Sequence, residues 1–368
     1  MRESGTLSGE YSYLPIERVH FGQKSIEKLS SELNRLASKR PFLITGKTIA
    51  ERTDLSRRVE ESLGRKLAGI FSGIKQHAPQ SGIFEATRQA KLANADAVIS
   101  LGGGSPIDSA KIVVKEMSED FARPALPHIA IPTTLSAAEF SHAAGMTDEG
   151  SRRKVGFRDP RLVPRVVFLD PEVTVPTPSW LWGSSGIRSL DHAVETVYSP
   201  RHQPFVDVLA LEAIRLLFEN LKESAQDPSD LGKRLSCQMA AWMSFAGVLS
   251  VGTGLSHAIG RTIGATWNIP HGITSCLTLA EVMRTEASVS PERLILMAKA
   301  EGRKLEGLGQ KDAALEASLG VGELVRNLAL SKHLTDYGIT WDDLPKIARE
   351  SASSEDYSRA LQVLEAIF

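Results

Sequence analysis

The chain has 368 residues, of which 42% are hydrophobic and 24% are charged, and its formal net charge is −1. This composition is typical of a folded protein with a sizeable apolar core, and the length favours two domains. Basic residues are dispersed, so we expect neither a nucleic-acid-binding surface nor a membrane-surface patch. No apolar stretch approaches a membrane span and residues 1–14 lack the apolar segment of a signal peptide, so we expect a cytoplasmic protein with small-molecule partners.

Short β-rich runs alternate with amphipathic helical stretches in the first half of the chain. Strands that alternate with helices predict a parallel sheet. The predicted strands are 41–45, 66–71, 97–101, 128–131 and 166–169, and helical patterns at 55–63 and 82–94 lie between them.

Strand signals end near Pro176, where the second half of the chain becomes helical. Three prolines between residues 171 and 178 exclude a continuing helix and mark a boundary. We therefore predict an α/β domain at residues 1–175 and an all-α domain at residues 176–368. The predicted helices of the second domain are 185–197, 205–221, 230–249, 255–266, 273–285, 291–300, 312–328 and 341–351.

The strongest local motif is a glycine-rich turn, Leu-Gly-Gly-Gly-Ser-Pro-Ile-Asp-Ser-Ala-Lys, at residues 101–111. Its glycines allow a backbone to approach a pyrophosphate, Ser105 can cap a helix, and a helix N-terminus attracts phosphate charge. Because a predicted strand precedes the turn and a helix follows it, we expect phosphate binding rather than an ordinary strand-to-helix turn.

Asp108, in the same turn, could hold a ribose hydroxyl or a backbone amide. Thr133 and Thr134 follow the fourth strand, at the sheet edge where α/β ligands bind.

Five basic or titratable side chains stand at helical spacing in the second half of the chain. Arg188 and His192 are four residues apart, as are His257 and Arg261, and His271 follows ten residues later. Residues four apart share one helix face, so each pair can point into one pocket. Three histidines with a carboxylate would indicate a divalent-metal site, but arginines occupy the other two positions. The pattern indicates a site built around fixed positive charge, unless the arginines form internal ion pairs with acidic neighbours such as Asp191 or Glu195.

Several motifs occur together and in one order along the chain. They are the glycine-rich run 101–111, Ile-Pro-Thr-Thr at 131–134, Lys-Val-Gly-Phe-Arg-Asp-Pro-Arg at 154–161, Asp-Pro at 170–171, His-Ala-Val-Glu at 192–195 and Pro-His-Gly at 270–272. By these motifs the chain resembles the iron-containing alcohol dehydrogenase superfamily. The stretches 145–164 and 269–276 resemble its maleylacetate reductase branch.

This resemblance implies a fold of the dehydroquinate synthase-like, iron-type alcohol dehydrogenase kind, with an active site in the cleft between a parallel-sheet α/β domain and an all-α C-terminal domain. It implies a homodimer, in which the segment 18–22 forms an edge strand that pairs across the subunits. The residues implied to contact a nicotinamide dinucleotide are Gly102, Gly103, Gly104, Ser105, Asp108, Thr133, Thr134 and Lys154.

Two further positions bear on the ligands. Gly46 stands where many relatives carry an acidic residue that rejects a 2′-phosphate, so NADPH as well as NADH is expected as coenzyme. His142 stands where relatives have a loop that lines the nicotinamide side of the cleft, so it could contact substrate; a surface or loop role is the alternative.

The departures from the superfamily concern metal and proton transfer. In metal-dependent relatives the ligands fall at the positions of Arg188, His192, His257 and His271, and a proton-relaying histidine falls at Arg261. A guanidinium about 4 Å from a divalent cation is repelled by about 8 kcal/mol at an effective dielectric constant near 20. A bound metal is therefore not expected; if one is present, the three histidines are its expected ligands.

Arginine cannot act as a base near neutral pH, but Arg188 and Arg261 could bind a carboxylate or an enolate oxygen. Reduction of a carbon–carbon double bond conjugated to a ketone needs such stabilisation, and the proton could come from His257, His192, His271 or water. We expect an NAD(P)H-dependent, metal-independent reductase of a small anionic unsaturated keto acid resembling maleylacetate. Two alternatives stay open: a metal-dependent alcohol dehydrogenase, and a non-redox lyase, isomerase or cyclase on the same fold.

Overall fold

The computed structural model describes residues 8–118, 125–150 and 153–368, without the side chains of residues 153 and 154. Within these residues the strands are β1 Arg18–Phe21, β2 Pro41–Gly46, β3 Gly69–Ile74, β4 Ala97–Gly102, β5 His128–Pro132, β6 Ala143–Asp148, β7 Arg153–Arg158 and β8 Val166–Leu169. The helices are α1 Leu29–Arg35, α2 Lys47–Arg52, α3 Leu55–Leu63, α4 Gln80–Leu92, α5 Gly104–Met117, α6 Ser179–Tyr198, α7 Pro204–Gln226, α8 Leu231–Phe245, α9 Val248–Val251, α10 Leu255–Thr266, α11 His271–Glu286, α12 Pro291–Ala300, α13 Gln310–Asn327, α14 Leu344–Ser351 and α15 Tyr357–Ala366.

Six strands form one parallel sheet in the order β1-β8-β5-β4-β2-β3, and β6 and β7 form a separate antiparallel hairpin. The predicted fold class, a parallel-sheet α/β domain followed by a helical domain, is confirmed. Strand β1 lies at the edge of the sheet and pairs with β8 of the same chain. Its pairing with a second subunit stays a prediction.

Alternation of side chains along the central strands builds a core on each face of the sheet. In β2, Leu43 joins the cluster that contains α1 and α3, whereas Phe42 and Ile44 join the cluster that contains α4. Both faces of the sheet are thus covered, as is usual for parallel sheets, and strands β2, β4, β5 and β8 are buried almost throughout. The covered strands place their carboxyl ends at one edge, where ligands of such sheets bind.

The second predicted strand, 66–71, was placed too early, since the corresponding strand β3 spans Gly69–Ile74. Residues 64–66 form a short 3₁₀ turn, and the amide of Ala68 donates to the carbonyl of Pro41 before the strand begins. At the other end of the chain, the predicted helix 341–351 begins only at Leu344, after a 3₁₀ turn. Helix α15 was not predicted.

The chain divides into two compact units that differ from the predicted division at 175/176. Among the described residues, the α/β unit comprises 13–177 and 228–238, and the helical unit comprises 8–12, 178–227 and 239–368. The segment 228–238 groups with the α/β unit, where the side chain of Arg234 is fully buried against Thr174. Its guanidinium donates to the hydroxyl and the carbonyl oxygen of Thr174, both at 2.6 Å.

Among the described residues, no single helix is long and apolar enough to cross a bilayer. The stretches 231–251 and 255–266 reach that length and composition only as a pair, and the pair is bent by 99° at its break.

A buried lysine ties helix α5 to the segment that follows β5. The Lys111 side chain is 0% exposed, and its ammonium donates to the carbonyls of Ala138 at 2.7 Å and Ala143 at 2.8 Å. The same nitrogen lies 3.3 Å from a carboxylate oxygen of Asp108. Burial lowers the pKa of Lys111, and the Asp108 charge opposes this shift. Since α5 begins at the glycine-rich turn, this ammonium fixes the segment 138–143 beside the predicted dinucleotide site.

Replacing Lys111 with methionine should therefore lower the free energy of unfolding by about 3–5 kcal/mol, because two buried carbonyls and one carboxylate lose their partner. Denaturant unfolding would measure the change. The control is Lys115→Met on the same helix, where the side chain is 31% exposed, pairs with Glu116 and lies over the Phe157 ring; its expected cost is about 1 kcal/mol or less. Equal effects of the two substitutions would contradict this account.

Candidate active site

The predicted dinucleotide site begins where β4 runs into α5. Gly102 has a φ of +143°, which a residue with a side chain rarely adopts, and its carbonyl accepts from the amide of Thr133 at 2.9 Å. Gly103 precedes α5, and a Cβ there would lie 3.1 Å from a methyl carbon of Thr134. The glycine-rich turn therefore packs so close to the residues after β5 that a side chain at Gly103 would press on Thr134. Three consecutive glycines, 102–104, thus lead into α5, which starts at Gly104.

Ser105 and Asp108 are engaged within the protein. The Ser105 hydroxyl accepts from the amide of His77 at 3.1 Å, so it ties the loop after β3 to the glycine-rich turn. Asp108 accepts from Lys111 with one oxygen and from the amide of Gly145 at 3.3 Å with the other. The amide that Asp108 binds thus lies in the β6–β7 hairpin, outside its own turn. Its contact with a ribose stays a prediction.

The remaining predicted ligand residues of the α/β unit lie in three places. Gly46 ends β2 at the N-terminus of α2, and a Cβ there would lie 3.2 Å from the carbonyl oxygen of Ile74. Lys154 pairs with Thr147 in the hairpin, but its side chain lies outside the described part of the structure. His142 is half-buried just before β6, and burial, together with the charges of Arg158 and Lys111, lowers its pKa.

In the helical unit, helices α6 and α10 bring two of the predicted histidines and one predicted arginine together, and the third histidine lies on α11. Arg188 and His192 lie one turn apart on α6, and His257 lies in the first turn of α10. The rings of His192 and His257 are both buried, with centroids 4.8 Å apart. His271 is the first residue of α11, and its Nδ1 lies 3.5 Å from the point that a Cβ at Gly264 of α10 would occupy.

Arg188 is paired with an aspartate one turn further along the same helix. Its Nη1 lies 3.5 Å from the Asp191 carboxylate and donates to the Ser275 hydroxyl at 3.1 Å. Ser275 and Ser256 in turn donate to the same Asp191 oxygen at 2.6 and 3.0 Å. The alternative prediction of an internal ion pair is therefore correct for Arg188. The serines come from α11 and α10, so Asp191 connects all three helices.

Glu195 organises the beginning of α10. Its carboxylate accepts from the amides of Gly254 at 2.5 Å, Ser256 at 2.8 Å and His257 at 3.3 Å, which are donors that a helix N-terminus leaves free. One of its oxygens also lies 2.7 Å from Nδ1 of His257. A negative charge at this end of a helix is favourable, so Glu195 stabilises α10 and orients the His257 ring.

The pKa values of the two buried histidines of this cluster are shifted in opposite directions. Burial and the nearby Arg188 act to lower the pKa of His257, but Asp191 and Glu195 outweigh them and the pKa is raised. Burial, together with the charges of His257 and Arg188, lowers the pKa of His192 well below its ordinary value. The site therefore favours a protonated His257 beside a neutral His192.

Arg261 differs from Arg188. It lies one turn after His257 on α10, its side chain is exposed, and it forms no ion pair or hydrogen bond with any residue that the structure describes. The ion-pair alternative is therefore wrong for Arg261 within the described residues. Its charge nevertheless acts on Arg188: burial lowers the Arg188 pKa against the pull of Asp191 and Glu195, and Arg261 lowers it further.

Two sets of side chains must be tested as a metal site. In the predicted set, His192 and His257 lie together, but the position of the acidic ligand holds the guanidinium of Arg188. In a second set, ligand atoms of Asp191, Glu195 and His257 lie within 4.8 Å of one another, and all three residues are buried. There the carboxylates already accept from three hydroxyls and three backbone amides. Neither set, as placed, fits a divalent cation.

Asp191 and Glu195 entered the sequence analysis only as possible ion-pair partners, although they hold the cluster together. The signal was their spacing: Asp191 is three residues after Arg188 and Glu195 four after Asp191, so all three share one face of α6. The contributions of Ser256 and Ser275 could not be predicted, because they depend on how α10 and α11 pack against α6.

Comparison with known proteins agrees with this architecture. The model of the iron-containing alcohol dehydrogenase family matches residues 16–171, and the model of the C-terminal domain of the Fe-containing alcohol dehydrogenase family matches residues 183–362. Maleylacetate reductase 2 of Cupriavidus pinatubonensis is 32% identical over 312 residues, which cover 85% of this chain and 83% of that protein. Lactaldehyde reductase of Escherichia coli is 29% identical over 349 residues, with coverage of 90% and 91%. The crystal structure of maleylacetate reductase from Agrobacterium tumefaciens superposes with a TM-score of 0.85, at 25% identity and 99% coverage of both chains.

The glycine-rich turn yields a prediction for dinucleotide binding. Gly103→Val places a branched side chain against Thr134 and in front of the α5 N-terminus, so NADH and NADPH should no longer show enhanced fluorescence on binding, while circular dichroism stays unchanged. Gly156→Val is the control, because a Cβ at Gly156 meets nothing within 4 Å. Unimpaired coenzyme binding by Gly103→Val would show that the pyrophosphate lies elsewhere.

The Glu195 contacts yield a prediction for pH. Because the folded-state pKa of His257 is raised, its protonation stabilises the fold below the unfolded value of about 6.5, and this stabilisation is lost as pH rises through the folded pKa. Glu195→Gln should lower the His257 pKa in an NMR titration. The free energy of unfolding should then fall less steeply as pH rises above about 6.5. Glu212→Gln, at an Arg215 pair on α7, is the control. An unchanged His257 titration in Glu195→Gln would refute the assigned contact.

Proposed function

We propose that this chain, which belongs to the iron-containing alcohol dehydrogenase family and to its maleylacetate reductase-like branch, reduces a small anionic unsaturated keto acid with NAD(P)H and without a catalytic metal. The family consists of NAD(P)-dependent oxidoreductases, and the chain is one of them. That membership favours redox chemistry over the non-redox alternative. The substrate class and the metal independence are what the proposal adds.

The observation that carries the proposal is the Arg188 guanidinium, held 3.5 Å from Asp191 at the position of an acidic metal ligand. Removing this guanidinium from the site would leave the buried Asp191 carboxylate without its cation, which is costly. A divalent cation beside it would meet a repulsion of about 8 kcal/mol. The fixed positive charge therefore supports electrostatic stabilisation by arginine instead of by metal.

The chemistry requires few groups. Hydride from the reduced nicotinamide adds to one carbon of the conjugated double bond, the electron pair moves toward the ketone oxygen, and the enolate oxygen carries negative charge. Guanidinium groups stabilise such an oxygen through charge-assisted hydrogen bonds. Protonation at carbon then completes the reduction. His257 suits this step, because Asp191 and Glu195 favour its protonated form and its Nε2 has no hydrogen-bond partner among the described residues.

A second candidate is a metal-dependent alcohol dehydrogenase, in which Asp191, Glu195 and His257 would have to exchange their present hydrogen bonds for a metal ion. A lactaldehyde reductase is similar to the chain almost to the degree that the maleylacetate reductases are. The two candidates differ in their need for metal and in the charge of the preferred substrate.

The test combines elemental analysis with activity. Protein purified without chelator should contain well below one iron or zinc per chain, and chelator should leave NAD(P)H oxidation with a maleylacetate-like acid unchanged. Under the same conditions a neutral hydroxyaldehyde should react more slowly. Stoichiometric metal that resists dialysis, with activity lost on its removal, would establish the second candidate instead.

A charge exchange at position 188 sharpens this test. Arg188→Asp replaces the guanidinium with a carboxylate beside His192 and His257, so calorimetric titration should show tight binding of zinc that the unmodified protein lacks. Arg188→Met removes the positive charge without adding a ligand and should bind zinc far more weakly. Equal zinc affinity of the unmodified protein and Arg188→Asp would mean that Arg188 does not exclude metal.

A further inference from the structure

A threonine that is not among the predicted ligand residues contacts the backbone that follows β5. The hydroxyl of Thr177 donates to the carbonyl oxygen of Thr133 at 2.8 Å, and both residues are buried. The amide of Thr133 in turn donates to the carbonyl of Gly102 at 2.9 Å. The two polar groups of the Thr133 backbone are therefore both engaged, one by the glycine-rich turn and the other by Thr177.

The contact at Thr133 sets the direction of the next backbone amide. A peptide unit is planar and trans, so the carbonyl of Thr133 and the amide of Thr134 point in opposite directions. Among the residues that the structure describes, this amide donates to no acceptor. The Thr134 side chain lies 3.1 Å from the point that a Cβ at Gly103 would occupy. The residue that carries this free donor thus adjoins the glycine-rich turn.

A buried arginine holds Thr177 in place through Thr174. The carbonyl oxygen of Thr174 accepts from the amide of Thr177 at 2.9 Å and from Nη2 of Arg234 at 2.6 Å. Nε of the same guanidinium donates to the Thr174 hydroxyl, also at 2.6 Å. Burial lowers the pKa of Arg234 to about 10, so the side chain stays protonated near neutral pH. Hydrogen bonds therefore run without a break from Arg234 to Gly102.

We propose that Thr177 is a positioning residue for the nicotinamide dinucleotide, and that Arg234 acts through it. The Thr177 hydroxyl orients the peptide between Thr133 and Thr134, so that the amide of this peptide can donate to the pyrophosphate beside the glycine-rich turn. This inference rests on the proposed NAD(P)H-dependent function and adds two residues that act on the coenzyme indirectly. A threonine that only satisfied a buried carbonyl would affect the free energy of unfolding, whereas a positioning residue also affects coenzyme affinity.

Coenzyme binding to the full-length protein tests the role of the hydroxyl, with the enhanced fluorescence of bound NADH and NADPH as the measurement. Thr177→Val keeps the shape of the side chain but removes the donor, and it should weaken binding about tenfold, the scale of one hydrogen bond to a charged group. Thr177→Ser keeps the hydroxyl and should restore most of the affinity. Thr87→Val is the matched control, because the buried Thr87 of α4 also donates to a carbonyl, that of Ile83, at 2.9 Å.

A double-mutant cycle tests whether Arg234 acts through Thr177. Arg234→Lys keeps the charge but cannot reproduce the planar fork that binds Thr174, so it should also weaken coenzyme binding. In the Thr177→Val background the same substitution should have little further effect, because the connection to Thr133 is already broken. In steady-state kinetics, both single variants should raise the KM of the coenzyme and leave the KM of the keto acid unchanged.

Three results would each overturn the inference: equal coenzyme affinity of folded Thr177→Val and Thr87→Val, binding by Thr177→Ser as weak as by Thr177→Val, or additive effects in the cycle. Thr177→Ala replaces the valine variant if that one does not fold. Hydroxyl-dependent coenzyme binding without turnover on any unsaturated keto acid would refute the reductase and leave the inference. Reduction of such an acid at an unchanged coenzyme KM in Thr177→Val would refute the inference and leave the reductase.

Discussion

The hydrogen bonds from the α10 amides to Glu195 are the contact on which the candidate active site depends. Backbone donors at the start of a helix must be satisfied, and here a carboxylate from α6 satisfies three of them at once. This sets where α10 begins, and therefore where His257 and Arg261 project. The same carboxylate lies against the imidazole of His257. Glu195 thus determines both where α10 begins and how readily His257 is protonated.

Asp191 plays a complementary part on the same helix face. Hydroxyls from α10 and α11 converge on one of its oxygens, and the guanidinium of Arg188 balances its charge. A buried carboxylate is tolerated only when it is paired and hydrogen-bonded, so these groups are mutually dependent. The network explains how a long basic side chain can be accommodated at position 188 of α6.

Periodicity was enough to predict the parallel sheet, the helical second half and the glycine-rich turn, because each depends on short-range pattern. Helical spacing predicted that His192 shares a face with Arg188 and His257 with Arg261, and the resemblance to a known family placed the two histidines in one site. What escaped prediction depends on long-range contacts. Glu195 resembles any other acidic residue on a helix until the start of α10 is located. Nothing local in the sequence marks the burial of Arg234, so the sequence does not predict that the segment 228–238 groups with the α/β unit.

Gly46 shows how the backbone can constrain coenzyme choice. A Cβ at this position would press on the carbonyl oxygen of Ile74 in the neighbouring strand, at 3.2 Å. Any side chain there, acidic or not, would require β3 to shift away from β2, and the pairing of these strands is already irregular between Ile44 and Gly46. If residue 46 selects between the two nicotinamide coenzymes, as expected from the sequence, an acidic residue there would also change the spacing of β2 and β3 by a few tenths of an ångström.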